Sequence, residues 1–404
     1  MERLKQYPIP SCAWKRDLGS IPVNCSSHSP NRGIALGGFG AGSFMYNLSG
    51  SFGPWQSLDN VLYQGTWLDS AAFHLYEKAG DQPSRVKCLS ADRNLKPGWD
   101  KLQAKDAVYY ALQPKGWVTY NNFLTRISMK FFSPVIPGNY KETSYPVAVW
   151  EFMVHNPLKV EAEVSLMLTF PGIFIGAAGV DHDFHSQWMA DRDTKGIVLK
   201  SGKGLGEWCL ASQERKARTI SYLLDWDTGA KGDDVRDEFG TNGRLGDRSL
   251  DTGRSSGALA VRIRIKPGRT EYIPFVLSWD FPVVRFGQGT EWYKKYCEYF
   301  NSNGNNAFSL AQTGIRNYQA WERKVDSWMK PVIRSKKYPE WLKTAAFNEL
   351  YYSQFGGIFY SSGLRSKKDA YTLSRYRHIF FEMECMKYPF ANTFDVRHYS
   401  SLPY

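Results

Sequence analysis

The 404-residue sequence has no long apolar run. Nothing in it approaches the ~18 consecutive apolar residues that a membrane-crossing helix needs. The opening stretch MERLKQYPIPSCAWKRD lacks the apolar core of a secretory signal. Cysteine is sparse and scattered. The six, Cys12, Cys25, Cys88, Cys209, Cys297 and Cys385, include no C-x-x-C pair, so neither a zinc ribbon nor a small disulfide scaffold is indicated. A reducing, cytoplasmic compartment fits that usage. The formal net charge of +12 is spread along the chain without a basic block, which speaks against nucleic acid as a partner. A phosphate-binding fingerprint is missing too. The glycine-rich NRGIALGGFGAGSFMYNLSGSFGPW (residues 31–55) carries Gly38, Gly40 and Gly42 as G-x-G-x-G. It lacks the third glycine of a dinucleotide turn and the Gly-Lys-Ser/Thr of a phosphate loop. Close backbone packing or positive-φ turns beside a site account for such density, and no cofactor is expected.

What the chain has in abundance is aromatic surface: 14 Trp, 24 Tyr and 24 Phe, 15% of residues. That suits large aromatic cores and also faces that stack on sugar rings or bases. The length exceeds one ordinary core and implies two or more domains. Between about Tyr109 and Phe286, short runs such as YPVAVWEFMVHN, EAEVSLMLTF, TISYLLDW, ALAVRIRIKPG and EYIPFVLSWDFP are separated by turn residues. They predict an antiparallel β-sandwich. Residues 227–257 have few apolar side chains and read as a long surface loop or ordered insertion. DHDFH (181–185) holds metal-ligand types without distant partners and reads as a polar turn. Near residue 300 the period changes. Phe308, Ala311, Ile315, Tyr318, Val325 and Trp328 predict an amphipathic helix over 307–329, ended by Pro331. YPEWLKTAAFNELYY then predicts a helix opening at Pro339 and buried on several sides, with Asn348 and Glu349 hydrogen-bonded inside the fold.

The last 25 residues, FFEMECMKYPFANTFDVRHYSSLPY, place Glu382 and Glu384 in an apolar, aromatic stretch. In an extended chain Phe381, Met383 and Cys385 point one way and both glutamates the other. A carboxylate among aromatic side chains is what a glycosidase requires. Two that project in parallel from one strand, however, do not flank a glycosidic bond from opposite sides, so these two are not an acid–nucleophile pair.

The glycine-rich stretch, FVLSWDFPVVRFG, YPEWLKTAAFNELYYSQFGGIFY and MECMKYPFANTFDVRHYSS, in this order over nearly the whole chain, resemble glycoside hydrolase family 116, which includes β-glucosidases and non-lysosomal glucosylceramidase. The resemblance implies an N-terminal β-sandwich followed by an (α/α)6 barrel. Its expected boundaries are residues 1–300 for the sandwich, 301–336 for a linker helix and 337–404 for the incomplete start of the barrel. It also implies retaining hydrolysis of a β-linked glucoside. The family's nucleophile lies eleven residues before the aspartate of an Asn-Thr-aromatic-Asp-Val run. Asn392 to Val396 supply that run, which puts the nucleophile at Glu384 and makes Asp395 a residue near the sugar. Asn392 and Asp395 also nearly match a capping box, and both readings of Asp395 stand. Cys385, Met386 and Lys387 replace the Gly-Gln-Glu of the glucosylceramidase branch, so no aglycone preference follows. The family's acid/base aspartate lies beyond this motif. The chain is therefore expected to be inactive or incomplete alone, with a second polypeptide supplying the rest of the barrel, or else to be a non-catalytic sugar-binding or scaffold fragment.

Overall fold

The computed structural model describes residues 6–19, 33–287, 289–365, 378–383 and 390–391. Two large sheets form the body. Nine strands make the first, in the order Trp14–Asp17, Ala107–Leu112, Lys115–Tyr120, Arg126–Phe132, Val147–His155, Thr270–Asp280, Glu207–Gln213, Thr194–Ser201 and Phe184–Asp191. Six make the second: Arg248–Ser249, Arg218–Leu224, Ser256–Ile265, Ala162–Pro171, Ala72–Ala79 and Arg85–Cys88. Each apolar run singled out in the sequence falls on one of these strands. Their pairings are antiparallel except the short one between Arg218–Leu224 and Arg248–Ser249.

Why the central strands read as nearly continuous apolar runs is clear from their two faces. In Val147–His155, Ala148, Trp150, Phe152 and Val154 point into the space between the sheets, whereas Val147, Val149 and Met153 point to the outer face. Both faces are covered, so the polar half of the usual alternation is mostly apolar too, Glu151 and His155 excepted. The space between the sheets is an aromatic core. Phe44 stacks on Trp55 at 4.2 Å, and Trp55 meets Trp208 edge-on at 5.4 Å. Trp55, Trp150, Trp208 and Trp279 are fully buried, which places much of the chain's aromatic surplus in its core.

The described helices are α1 (Tyr140–Thr143), α2 (Asp233–Asn242), α3 (Cys297–Phe300), α4 (Ala307–Arg334), α5 (Glu340–Asn348) and α6 (Tyr351–Gln354). Helix α2 lies inside the 227–257 segment. That segment is thus an ordered insertion, anchored by Val235, Phe239 and Leu245, with Leu250 alongside, in a cluster with Trp99 and Trp226. Helix α4 covers the outer face of the nine-stranded sheet. Gly314 allows the approach, since a Cβ there would stand 3.1 Å from Val276 and 3.2 Å from Val147. Contrary to expectation, Pro331 does not end this helix, which continues to Arg334. In the last turn a proline forgoes a single bond, to the carbonyl of Ser327, and Ser327 is exposed so that water can donate to that carbonyl instead. Residues 301–336 thus press α4 onto the sheet. No described helix is long and apolar enough to cross a membrane.

Salt links fasten α4 as well. Lys130 bridges Glu151 on the sheet at 2.7 Å and Glu322 on the helix at 2.6 Å, and Lys115 reaches Glu322 at 2.8 Å and Asp326 at 2.6 Å. Tyr7 donates to Glu151 at 2.8 Å, and its ring lies 4.8 Å from the Lys130 ammonium. The helix N-terminus is held by carboxyl groups. Glu207 accepts from the Ala307 N–H at 2.9 Å, and Asp280 accepts from the Asn306 N–H at 2.8 Å, satisfying donors that have no partner inside the helix.

After Arg334 the expectation changes most. The helix predicted from Pro339 breaks into α5 and α6, and it is not buried on several sides: Trp341 is 70% and Leu342 37% exposed. Only one side meets the body, through buried Phe347, whose ring packs edge-on against Trp328 at 5.4 Å. Asn348 is bonded inside the fold as expected, accepting from the Gln113 N–H at 2.9 Å. Glu349 is exposed instead, because the α5 face it sits on is not covered by described residues. No (α/α)6 barrel is formed by the described residues. Beyond α6 they form two strands, Ile358–Leu364 and Ile379–Glu382.

Candidate active site

Those two strands complete a small antiparallel sheet with Val283–Arg285 and Glu291–Lys294. Its alternation is the one expected of FFEMEC. Phe381 stacks on Phe359 at 4.8 Å with Phe286 alongside at 5.1 Å, and Met383 is fully buried among them. Glu382, on the opposite parity, sits across from Ile358, and Phe380 across from Tyr360. Glu384, the expected nucleophile, lies two residues beyond Glu382, outside the described residues, as do Asp395, Cys385 and the Asn-Thr-Phe-Asp-Val run.

The glycine-rich stretch braces this hairpin. Gly40, at φ +67°, packs so closely on Ile358–Leu364 that a Cβ would lie 2.7 Å from the Tyr360 backbone nitrogen. No L side chain fits there. Lys294, wholly buried, donates to the carbonyls of Leu58 at 2.6 Å and Ala41 at 3.3 Å, and Trp279 Nε1 joins it on Ala41 at 3.1 Å. Burial draws the Lys294 ammonium down to about 8. The same interior pushes Glu207 up to about 7 and raises Asp280, in each case by burial acting against hydrogen-bond donors that favour the charged form. Both carboxyls face the N-terminus of α4, where they anchor the helix.

Around the hairpin's outer face stand groups that sequence reasoning missed. Phe380 meets Tyr360 edge-on at 5.1 Å and Tyr140 at 6.5 Å. Tyr140 is 58% and Phe380 41% exposed. Lys295 Nζ lies 5.4 Å from the Tyr360 ring, and Glu298 accepts from Lys295 at 2.6 Å and pairs with His378 at 2.8 Å. Phe380 could have been found, since it shares the parity of Glu382. Tyr140 could not, because it comes from a distant turn, PGNYKET. Chemically the arrangement is a carboxylate-bearing strand flanked by aromatic faces and charged hydrogen-bonding groups, which suits a polyhydroxylated ring.

DHDFH forms the turn between strands Gly179–Asp181 and Phe184–Asp191, with Asp181 paired to Lys203 at 2.9 Å. Among the described residues no cluster of His, Cys, Asp and Glu is placed to hold a metal ion.

Two solved structures share loose similarity. One is a putative kojibiose phosphorylase from human microbiome, 10% identical over 85% of this chain and 39% of its own, with a TM-score of 0.34. The other is a polysaccharide lyase, 10% identical over 63% of this chain and 33% of its own, with a TM-score of 0.32. The chain thus spans well under half of either, and overlap of this grade has no bearing on mechanism. Residues 33–321 match the family described as beta-glucosidase 2, glycosyl-hydrolase family 116 N-term. With well over half its length matched, the chain belongs to glycoside hydrolase family 116.

Proposed function

We propose that this protein serves the retaining hydrolysis of β-linked glucosides, with Glu384 as nucleophile and Asp395 near the sugar. The observation that supports the reading most is the hairpin. Its second strand keeps alternate residues in an aromatic core, presents Glu382 and Phe380 on the other face, and runs directly into Glu384. In a retaining reaction the Glu384 carboxylate attacks the anomeric carbon and the aglycone oxygen leaves with a proton from a general acid. Water, deprotonated by the same group, then cleaves the glycosyl ester. The acid is proposed to come from the family's barrel, beyond Asp395 in order, and cytoplasmic location is part of the same proposal.

A substrate with a very good leaving group separates nucleophile from acid, because a dinitrophenolate departs without a proton. Hydrolysis of 2,4-dinitrophenyl β-glucoside should release β-glucose first, followed by NMR. Glu384→Ala should be slow and should yield α-glucosyl azide when azide is added, the small anion taking the missing carboxylate's place. Release of α-glucose first, or azide rescue at Glu382→Ala instead, would remove Glu384 from this role. A folded protein that binds glucosides and cleaves none would favour the sugar-binding or scaffold reading.

A further inference from the structure

At one edge of the sandwich a cleft of about 350 Å³ lies between the outermost strand of the six-stranded sheet, Arg85–Cys88, and the turn that joins Lys115–Tyr120 to Arg126–Phe132 in the nine-stranded one. The volume suits a small ligand. The turn is clamped from within. Glu77, 1% exposed, accepts from the Leu124 N–H at 2.6 Å and from the Thr125 N–H and hydroxyl at 3.1 Å each. Its strand, Ala72–Ala79, pairs with Arg85–Cys88, so a buried carboxylate that needs donors fixes the turn against the second sheet. The other wall is fixed as well. Asp106 accepts from the Gln103 N–H at 2.9 Å and from Asn122 Nδ2 at 3.0 Å, and its carbonyl accepts from the Asn121 N–H at 2.7 Å. Lys87 pairs with Asp100 at 2.7 Å, and the half-buried Phe123 ring meets Tyr120 edge-on at 6.3 Å.

What the fold leaves unused in these walls points to the occupant. Arg85 and Asn121 are exposed, and neither side chain has a hydrogen bond or ion pair among the described residues. Asp100 and Asp106 keep lone pairs to spare, since a carboxylate accepts about four hydrogen bonds. Donors and acceptors thus stand side by side on reachable planar groups. The charges balance, Arg85 and Lys87 against Asp100 and Asp106, so neither an anion nor a cation finds a net partner. A wholly apolar ligand would strip water from four charged groups. A neutral molecule dense in hydroxyls satisfies every wall, because each hydroxyl both donates and accepts and one C–H face can lie on the Phe123 ring.

We infer that this cleft binds a neutral pyranoside, its hydroxyls shared among Arg85, Asp100 and Asn121 and one ring face set on Phe123. The inference goes beyond the hydrolase reading and does not depend on it, since it uses neither Glu382 nor Glu384.

Three probes test it: methyl 1-thio-β-glucoside, whose sulfur linkage resists hydrolysis, cyclohexylmethanol, which keeps a six-membered ring and a single hydroxyl, and inorganic phosphate. In the full chain labelled with nitrogen-15 phenylalanine, the Phe123 amide resonance, assigned by its loss in Phe123→Leu, reports on this cleft alone. Titration with the thioglucoside should move that resonance saturably, and neither of the other probes should. The paired substitution Arg85→Met and Asn121→Ala should weaken the sugar about tenfold, the loss expected for two such hydrogen bonds. Both side chains are exposed and unbonded within the fold, so the variant should keep the parent's thermal midpoint; if it does not fold, the ranking of the three probes decides. A Phe123 resonance that the sugar leaves unmoved, a saturable shift with cyclohexylmethanol or phosphate, or undiminished sugar affinity in the paired variant would overturn the assignment.

Discussion

The chain up to Arg334 and the stretch after it treat aromatic side chains in opposite ways. In the first, Trp55, Trp150, Trp208, Trp279 and Trp321 are fully buried between or beneath sheets. In the second, Trp341 is 70%, Phe390 61% and Phe380 41% exposed. The first part buries its apolar surface by itself and supplies a rigid platform. The second hangs on that platform by Phe347, Asn348, Phe355 and the hairpin strands, and turns Trp341, Phe380 and Phe390 outward, where a substrate or another part of the protein can meet them.

Substitutions break this comparison in order of size. Trp150→Ala, which empties the centre of the aromatic core, should cost about 3–5 kcal/mol in chemical unfolding. A loss under 1 kcal/mol would mean that the core is not the continuous unit described. Next comes Lys130→Met, which leaves Glu151 without its buried cation. About 3 kcal/mol is expected, because a buried charge stripped of its partner keeps its desolvation cost, and a neutral result would show that the Lys130 link does not hold α4 to the sheet.

Glu207 sharpens the picture through pH. Its carboxyl titrates at about 7 in the fold against about 4.5 when exposed, so the folded state binds the proton more tightly. Stability is therefore fully favoured below about 4.5, declines as pH rises toward about 7 and stays reduced above it. Glu207→Gln keeps an acceptor for the Ala307 N–H and removes the charge. It should gain on the order of 2 kcal/mol at pH 8 and flatten part of the acid-to-neutral slope of thermal stability. An unchanged slope would place the titration elsewhere. The smallest effect belongs to the second region: Trp341→Ala should move stability by no more than about 0.5 kcal/mol, despite removing the largest side chain of α5. A cost like that of Trp150→Ala would mean that this ring is covered after all.

How much of this could be read from the sequence follows the same divide. The strands Val147–His155, Ala162–Pro171, Arg218–Leu224, Ser256–Ile265 and Thr270–Asp280 were legible because each carries a long β-branched and aromatic run between turn residues. The parity of Phe381, Met383 and Glu382 was legible because a strand has a period of two. The course of α4 past Pro331 was not, since it depends on Ser327 lying on an exposed face of the helix. The exposure of Trp341 was hidden for another reason: periodicity reports which faces of a helix are apolar and says nothing of whether a partner covers them. Tyr140 meets Phe380, and Gln113 meets Asn348, across more than two hundred residues of chain, through contacts that local pattern does not encode. Glu384 and Asp395 were reached through family resemblance, on the motif from Asn392 to Val396.

The central claim is the identity of the nucleophile. A 2-deoxy-2-fluoro-β-glucosyl donor with a dinitrophenolate leaving group forms the glycosyl ester without an acid and hydrolyses it slowly, so the intermediate accumulates for peptide mass spectrometry. Given to the complete enzyme, with the family's barrel present, it should leave one fluoroglucosyl group on the peptide containing Glu384 and none on Glu384→Gln. A label on Glu382, or a folded protein that takes up no label at all, would contradict it.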